Sequence, residues 1–178
     1  GIDALAQEAF AETEITDIVV VLMPSHRASI HLDMIFTMVD RDRCVIFPPL
    51  VTGMNKCRAF HVHYEQGQVK RIVEYTGVLE ALRTQGLDLK PIPCGGDGDR
   101  WPMEREQWHS GTNFFALAPG KVMGYARNVH TLEEMSSHGF AIVPADDSRR
   151  ARLNCIAHLL DQVPYRDVTP PPISLARN

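Results

Sequence analysis

No apolar run in this sequence approaches the roughly 20 residues a membrane helix needs, and no signal-peptide pattern opens it. A membrane-spanning or exported chain is thereby disfavoured, and no membrane partner is expected. Cysteine is sparse: Cys44, Cys57, Cys94 and Cys155 stand at irregular spacings, without a CxxC pair. That weighs against a zinc knuckle or a disulfide framework and fits free thiols in a reducing, cytoplasmic setting. An excess of basic charge is also missing. The net charge of -4 argues against nucleic acid as a partner, because phosphate binding calls for a basic stripe. An initiator Met is lacking too; the chain begins at Gly1, which reads as a trimmed chain or a fragment. What is present is ordinary. A length of 178 residues suits one domain with a sizeable core. An apolar share of 44% with 22% charged residues excludes a disordered or collagen-like chain.

Hydrophobic spacing predicts an α/β order. Ile2, Leu5, Ala6, Ala9 and Phe10 fall at helical intervals, and Ile18 to Met23 is a valine-rich run that reads as a buried strand. Ile30 to Val39 and Cys44 to Phe47 are predicted strands joined by the charged turn Asp40 to Arg43. Phe60 to Tyr64 and Gln68 to Tyr75 read as a hairpin about Gln66-Gly67. Gly77 to Gln85 is a short helix stopped by Gly86, and Leu87 to Pro93 a strand. The order then returns: strand Asn113 to Ala118, turn Pro119-Gly120, and strand Lys121 to Ala126. A helix capped by Thr131 with Glu134 and closed by Gly139 follows, then strand Phe140 to Val143. Strand-strand-helix-strand thus occurs twice, with a hairpin inserted in the first copy and a helix-strand piece before it. Repetition fits an architecture of stacked supersecondary units, against chance in a mixed domain. The tail with Pro170 to Pro172 is expected to be extended.

The segment His31-Leu32-Asp33 carries the most chemistry. On a strand, residues two apart share a face, so His31 and Asp33 would point the same way. An imidazole beside a carboxylate suits a general acid/base next to a cation-binding group. Taken alone, the tripeptide reads first as a hydrogen-bonded surface pair. Three longer blocks change that weighting. His31-Leu32-Asp33-Met34-Ile35-Phe36-Thr37 with Val39-Asp40 is the first. Cys94-Gly95-Gly96-Asp97 followed by Arg105-Glu106-Gln107-Trp108, Gly111 and Asn113 is the second. Ala116-Leu117-Ala118-Pro119-Gly120 with Tyr125-Ala126-Arg127-Asn128 and Thr131 is the third. In order and spacing they resemble the arginine deiminase family of guanidine-modifying enzymes, from the first helix to about Pro144.

The resemblance implies a pentein-type α/β propeller of strand-strand-helix-strand modules, only part of whose five modules this chain would hold. It implies hydrolysis of the guanidinium of L-arginine to citrulline and ammonia, with no metal or organic cofactor. A cysteine thiolate would attack the guanidinium carbon and form an amidino-thioether. By the same resemblance His31 is the acid/base and Asp33 the carboxylate that grips the guanidinium. The chemistry is consistent with these residue types: a planar guanidinium meets a carboxylate in bidentate fashion, and its poorly electrophilic carbon calls for a strong nucleophile. The family's nucleophile lies after the last strand, which points to Cys155, with Arg149, Arg150 and Arg152 where the family places an arginine for the substrate carboxylate. The sequence departs from the family there, since Asp146 to Asn154 replaces a run of glycines. A competing expectation is that Cys155 is a small core residue on a helix continued by Ile156, Leu159 and Leu160. The expected organisation is a partial deiminase-like domain over 1–145 and a divergent segment over 146–178. The family's other guanidinium-binding acids precede this chain, so a longer enzyme, a non-catalytic binding or structural remnant, and a relative acting on another guanidine stay open. Exposed strand edges would favour a homo-oligomer or association with a missing N-terminal portion.

Other candidates are weaker. His61 and His63 alternate on a strand, with His26 or His109 as conceivable companions. No third ligand shows at metal-site spacing, so no metal is expected. Cys94 to Asp99 lacks both calcium-loop spacing and a phosphate-loop lysine and reads as a flexible active-site loop. Trp101 and Trp108 are expected to pack, and Cys44 and Cys57 to have no catalytic part.

Overall fold

A computed structural model describes residues 2–65, 68–146, 153 and 156–157. The chain opens with helix α1 (Ile2–Glu12) and strand β1 (Asp17–Val21). Two 3-10 turns, Arg27–Ser29 and Leu32–Met34, lead to β2 (Phe36–Met38) and β3 (Arg43–Ile46). A short helix α2 (Pro48–Val51) precedes the hairpin strands β4 (Ala59–Glu65) and β5 (Gln68–Tyr75). Helix α3 (Val78–Thr84), β6 (Lys90–Pro93) and helix α4 (Arg100–Trp108) follow. The described elements end with β7 (Phe115–Ala118), β8 (Lys121–Gly124), helix α5 (Val129–Ser137) and β9 (Ala141–Pro144). Among the described residues no helix is long and apolar enough to cross a membrane.

The described strands form three sheets of three, in the orders β1-β4-β5, β2-β3-β6 and β7-β8-β9. In the second sheet β2 and β3 are antiparallel, while β3 and β6 are parallel. The third sheet repeats this, antiparallel β7 and β8 followed by parallel β8 and β9. A helix makes each parallel crossover, α3 in one unit and α5 in the other. The predicted repetition is therefore real in topology. The inserted hairpin leaves its unit and pairs with β1 in the first sheet. Both crossover helices stop the same way. Gly86 (φ +89°) and Gly139 (φ +86°) enter the left-handed region, where glycine alone is free of strain. In each case the next amide reaches back to the helix: Leu87 N–H donates to the Leu82 carbonyl and Phe140 N–H to the Met135 carbonyl.

Strand β3 is where the two units meet. Its Cys44 and Ile46 enter a core with Ile35, Phe36, Val51, Ala59 and Ala81. Val45, on the opposite face, enters a second core with Val39, Ile92, Phe114, Val122 and Met135. Burial on both faces explains why Cys44 to Ile46 reads as a continuous apolar run instead of an alternating one. Helix α1, by contrast, leaves Ile2 and Leu5 exposed and touches the hairpin through Phe10, whose ring stacks on Tyr64 at 4.2 Å.

Two sequence expectations need correction. Ile30 to Val39 is not one strand. Leu32–Met34 is a 3-10 turn, and pairing begins only where Phe36 finds Ile46. Thr131 is not the cap of α5 either; the cap position is Asn128 and Thr131 lies inside the first turn.

Candidate active site

His31 stands in extended conformation (φ -131°, ψ 150°) at the head of the 3-10 turn, exposed, its ring capping nothing. Asp33 lies within the turn and is half-buried. The shared strand face is thus replaced by a turn, and the cause is tertiary. Thr112 Oγ1 donates to the Asp33 carbonyl at 2.7 Å, and Asn113 Nδ2 donates to Asp33 Oδ2 at 2.8 Å. Gln107 Nε2 donates to the Met34 carbonyl at 3.1 Å and also to the Ala28 carbonyl. These donors occupy backbone acceptors that a strand ladder would otherwise use. Asp33 Oδ1 is buried and has no hydrogen-bond partner among the described residues.

The donors themselves are held by a buried polar network between the two units. Glu106 on α4 is 1% exposed. Its carboxylate accepts from the His130 amide (3.0 Å), the Thr131 amide (2.8 Å) and Thr131 Oγ1 (2.7 Å). Those amides are orphan donors at the start of α5, so a side chain from another helix supplies the cap. The positive end of the α5 dipole faces this carboxyl group, and Arg105 lies 3.2 Å from it. Thr131 Oγ1 in turn accepts from the Gly95 amide at 2.8 Å. Asn128 Nδ2 donates to the His109 carbonyl at 3.1 Å. The turn at Gly120 donates its amide to Asp40 Oδ2 (2.8 Å), joining the two β hairpins directly.

The loop from Cys94 to Asp99 is pinned at both ends. A Cβ added at Gly95 would fall 2.3 Å from Met103 Cα, so α4 can approach only because that position is glycine. Asp99 caps α4 by accepting from the Trp101 amide at 3.0 Å. The tryptophans do not pack as expected. Trp101 is 78% exposed and Trp108 53%. They border an apolar cavity of about 680 Å³ with His26, Ser29, Phe47 and Leu50, and neither His31 nor Asp33 lines it.

Three free thiols are described, and all are buried. Burial pushes Cys44 and Cys94 up from 9.0 to about 12, and raises Cys57. A thiol held protonated is a poor nucleophile, which agrees with leaving Cys44 and Cys57 out of the chemistry. Cys155, Arg149 and Arg152 lie outside the described residues, as do the hairpin tip Gln66-Gly67 and the proline tail. One described group has the donors for a metal ion: Asp17, His61 and His63. Neither His26 nor His109 joins it; their rings bond locally, to the Ala28 amide and the Arg105 carbonyl.

The three sequence blocks thus meet in space, with the acidic residue of the first fixed by side chains of the second. The arginine deiminase family model matches residues 1–149. The chain belongs to the arginine deiminase family. Similar curated proteins include the arginine deiminase of Lactococcus lactis subsp. cremoris (strain MG1363), 33% identical over 172 residues, covering 93% of this chain and 41% of that protein. The arginine deiminase of Streptococcus gordonii (strain Challis) is 37% identical over 131 residues, 72% of this chain and 31% of the relative. That of Oenococcus oeni (strain ATCC BAA-331 / PSU-1) is 30% identical over 155 residues, 85% of this chain and 37% of the relative. The chain spans about two fifths of the length of the first of these relatives. Within this segment of the arginine deiminase family, Gln107, Thr112 and Asn113 hold the turn that carries Asp33, while Glu106 and Thr131 bind each other and the backbone at the start of α5 and at Gly95. Glu106, Gln107, Asn113 and Thr131 stand in the sequence blocks and Thr112 is not among them; their role as a buried network is not legible there, because hydrophobic periodicity carries no information about a polar core.

Proposed function

We propose that this chain contributes the histidine and aspartate of a site that hydrolyses the guanidinium of L-arginine to citrulline and ammonia. The observation that carries the reading is Asp33: one carboxylate oxygen is fixed by Asn113 and the other is buried with no donor among the described residues. A buried acceptor left unmatched costs roughly 1–3 kcal/mol, more when ionised. A guanidinium N–H is a donor of the right charge for a carboxylate oxygen. In this reading His31, two residues away and exposed, exchanges protons with departing ammonia and then with the hydrolytic water. In this scheme Cys155 attacks the guanidinium carbon as thiolate, ammonia leaves with a proton from His31, and water activated by His31 releases citrulline and restores the thiol. Arg149 and Arg152 bind the substrate carboxylate. The two matching strand-strand-helix-strand units count as two modules of a pentein propeller, and further acids for the guanidinium come from the rest of such a propeller. Family membership and the fixed Asp33 support the reading.

The test is citrulline formation from L-arginine, with agmatine as comparison, by the whole protein that carries this chain and by its Cys155→Ala and Asp33→Asn variants. Release from arginine that falls at least about 1000-fold in Cys155→Ala is expected, given the size of nucleophile losses elsewhere. Release that survives in Cys155→Ala moves the nucleophile elsewhere. A folded chain that binds arginine without turning it over supports a binding module instead.

A further inference from the structure

The sheet β1-β4-β5, which carries neither His31 nor Asp33, holds a second cluster of chemistry-bearing side chains. Asp17 on β1 is the cross-strand partner of His63 on β4, and His61 lies two residues along the same strand. Residues two apart share a face, so both imidazoles turn to the aspartate. His61 Nε2 lies 2.6 Å and His63 Nδ1 2.8 Å from the same oxygen, Asp17 Oδ1. The three ligand atoms all fall within 4.8 Å of one another.

We propose that Asp17, His61 and His63 form a binding site for a divalent transition ion of the zinc class, independent of the arginine chemistry. Two nitrogens and one carboxylate oxygen are the donor types such ions take, with a fourth position left for water. The remaining atoms of the ligands are oriented as bound ligands require. Thr16 Oγ1 donates to Asp17 Oδ2 at 2.6 Å, which leaves Oδ1 facing the imidazoles. Gln85 Nε2 lies 3.1 Å from His61 Nδ1, the ring nitrogen turned away from Asp17. With metal on Nε2, that Nδ1 carries the proton and donates to the Gln85 amide oxygen after the amide turns over. Such outer partners fix ring orientation and tautomer. Access is open, since the Asp17 and His63 side chains are each 37% exposed while His61 is 9% exposed. Without metal the same atoms satisfy one another by hydrogen bonds, so binding replaces the ring protons at Asp17 by the ion, and each neutral imidazole then carries its one proton on its other ring nitrogen. Hydrogen bonds, chiefly from Thr16 and then His63 and His61, lower the Asp17 carboxyl from 3.8 to about 2, so the anionic ligand is available at neutral pH.

The experiment is titration of the chelator-stripped full chain with cobalt(II), read by visible d–d absorption, followed by displacement with zinc(II). One ion per chain with tetrahedral cobalt bands is expected. His63→Ala and Asp17→Asn each weaken binding by about 100-fold or more, beyond the roughly 10–100-fold loss typical of an outer partner such as Gln85. Both residues are partly exposed, so these variants remain decisive if His61→Ala fails to fold. Circular dichroism verifies the fold of each variant. No uptake by the folded chain overturns the site. Uptake unchanged in His63→Ala and Asp17→Asn, as thiol ligation would give, overturns it equally.

Discussion

Two aspartates in this chain show opposite electrostatic situations. Asp33 has a buried oxygen with no partner among the described residues, at a cost of roughly 1–3 kcal/mol. Asp17 has a partner on each oxygen, and its carboxyl is lowered from 3.8 to about 2, first by Thr16 and then by His63 and His61. A folded pKa below the unfolded one stabilises the folded state above the unfolded value, and that stabilisation is lost as pH falls through the folded value. Metal-free Asp17→Asn should therefore be less stable than wild type at pH 6. The gap should close between about pH 4 and about pH 2, as urea denaturation in the presence of chelator would show. The side chain is partly exposed, so the gap is modest, within the range of exposed ion pairs. A gap that stays constant down to about pH 2 would remove ionisation of Asp17 as its cause.

At the scale of elements, α4 is the piece that joins the repeats, and its buried face is polar. Glu106 and Gln107 point inward, while both tryptophans point outward. Glu106→Ala removes three donors' partner at the start of α5 and leaves two amides without a cap. A lost helix cap costs about 0.5–2 kcal/mol and hydrogen bonds to a buried charge about 1.5–3 kcal/mol, so a loss of about 3 kcal/mol is expected. Denaturant midpoints measure it, and a change below about 1 kcal/mol would mean that Arg105 and water replace the cap. The same inversion explains which elements could be read in advance. The paired strands other than β2, and the stops at Gly86 and Gly139, depend on local apolar pattern and glycine chemistry, and they stand close to where the sequence puts them. Helix α4 has no apolar stripe, and no helix was expected there. The turn at Leu32–Met34 overrides a strand-like pattern because Thr112, Asn113 and Gln107 bind it from a distance in sequence that no local rule spans. Asp17 escaped notice beside His61 and His63 for a related reason: strand register alone brings residues 44 and 46 positions apart onto one oxygen.

For the whole molecule, the decisive feature is that β3 serves both cores. Cys44 and Ile46 fill one side, Val45 the other. A strand cannot leave one core without leaving the other, so the two strand-strand-helix-strand units should unfold together although each has its own sheet and helix. Val45 is fully buried, and Val45→Ala removes two methylene equivalents at about 0.8 kcal/mol each plus a cavity cost, about 2 kcal/mol in all. The substitution touches only the core shared with α5, yet it should speed amide exchange equally in α3 and α5, because both exchange through the same global opening. Hydrogen exchange read by mass spectrometry distinguishes the cases. Faster exchange confined to α5 and β8 would mean that the repeats open separately, as stacked units with weak interfaces do. Equal acceleration would mean that the Asp33 turn, held by one unit and belonging to the other, is formed only when both are folded.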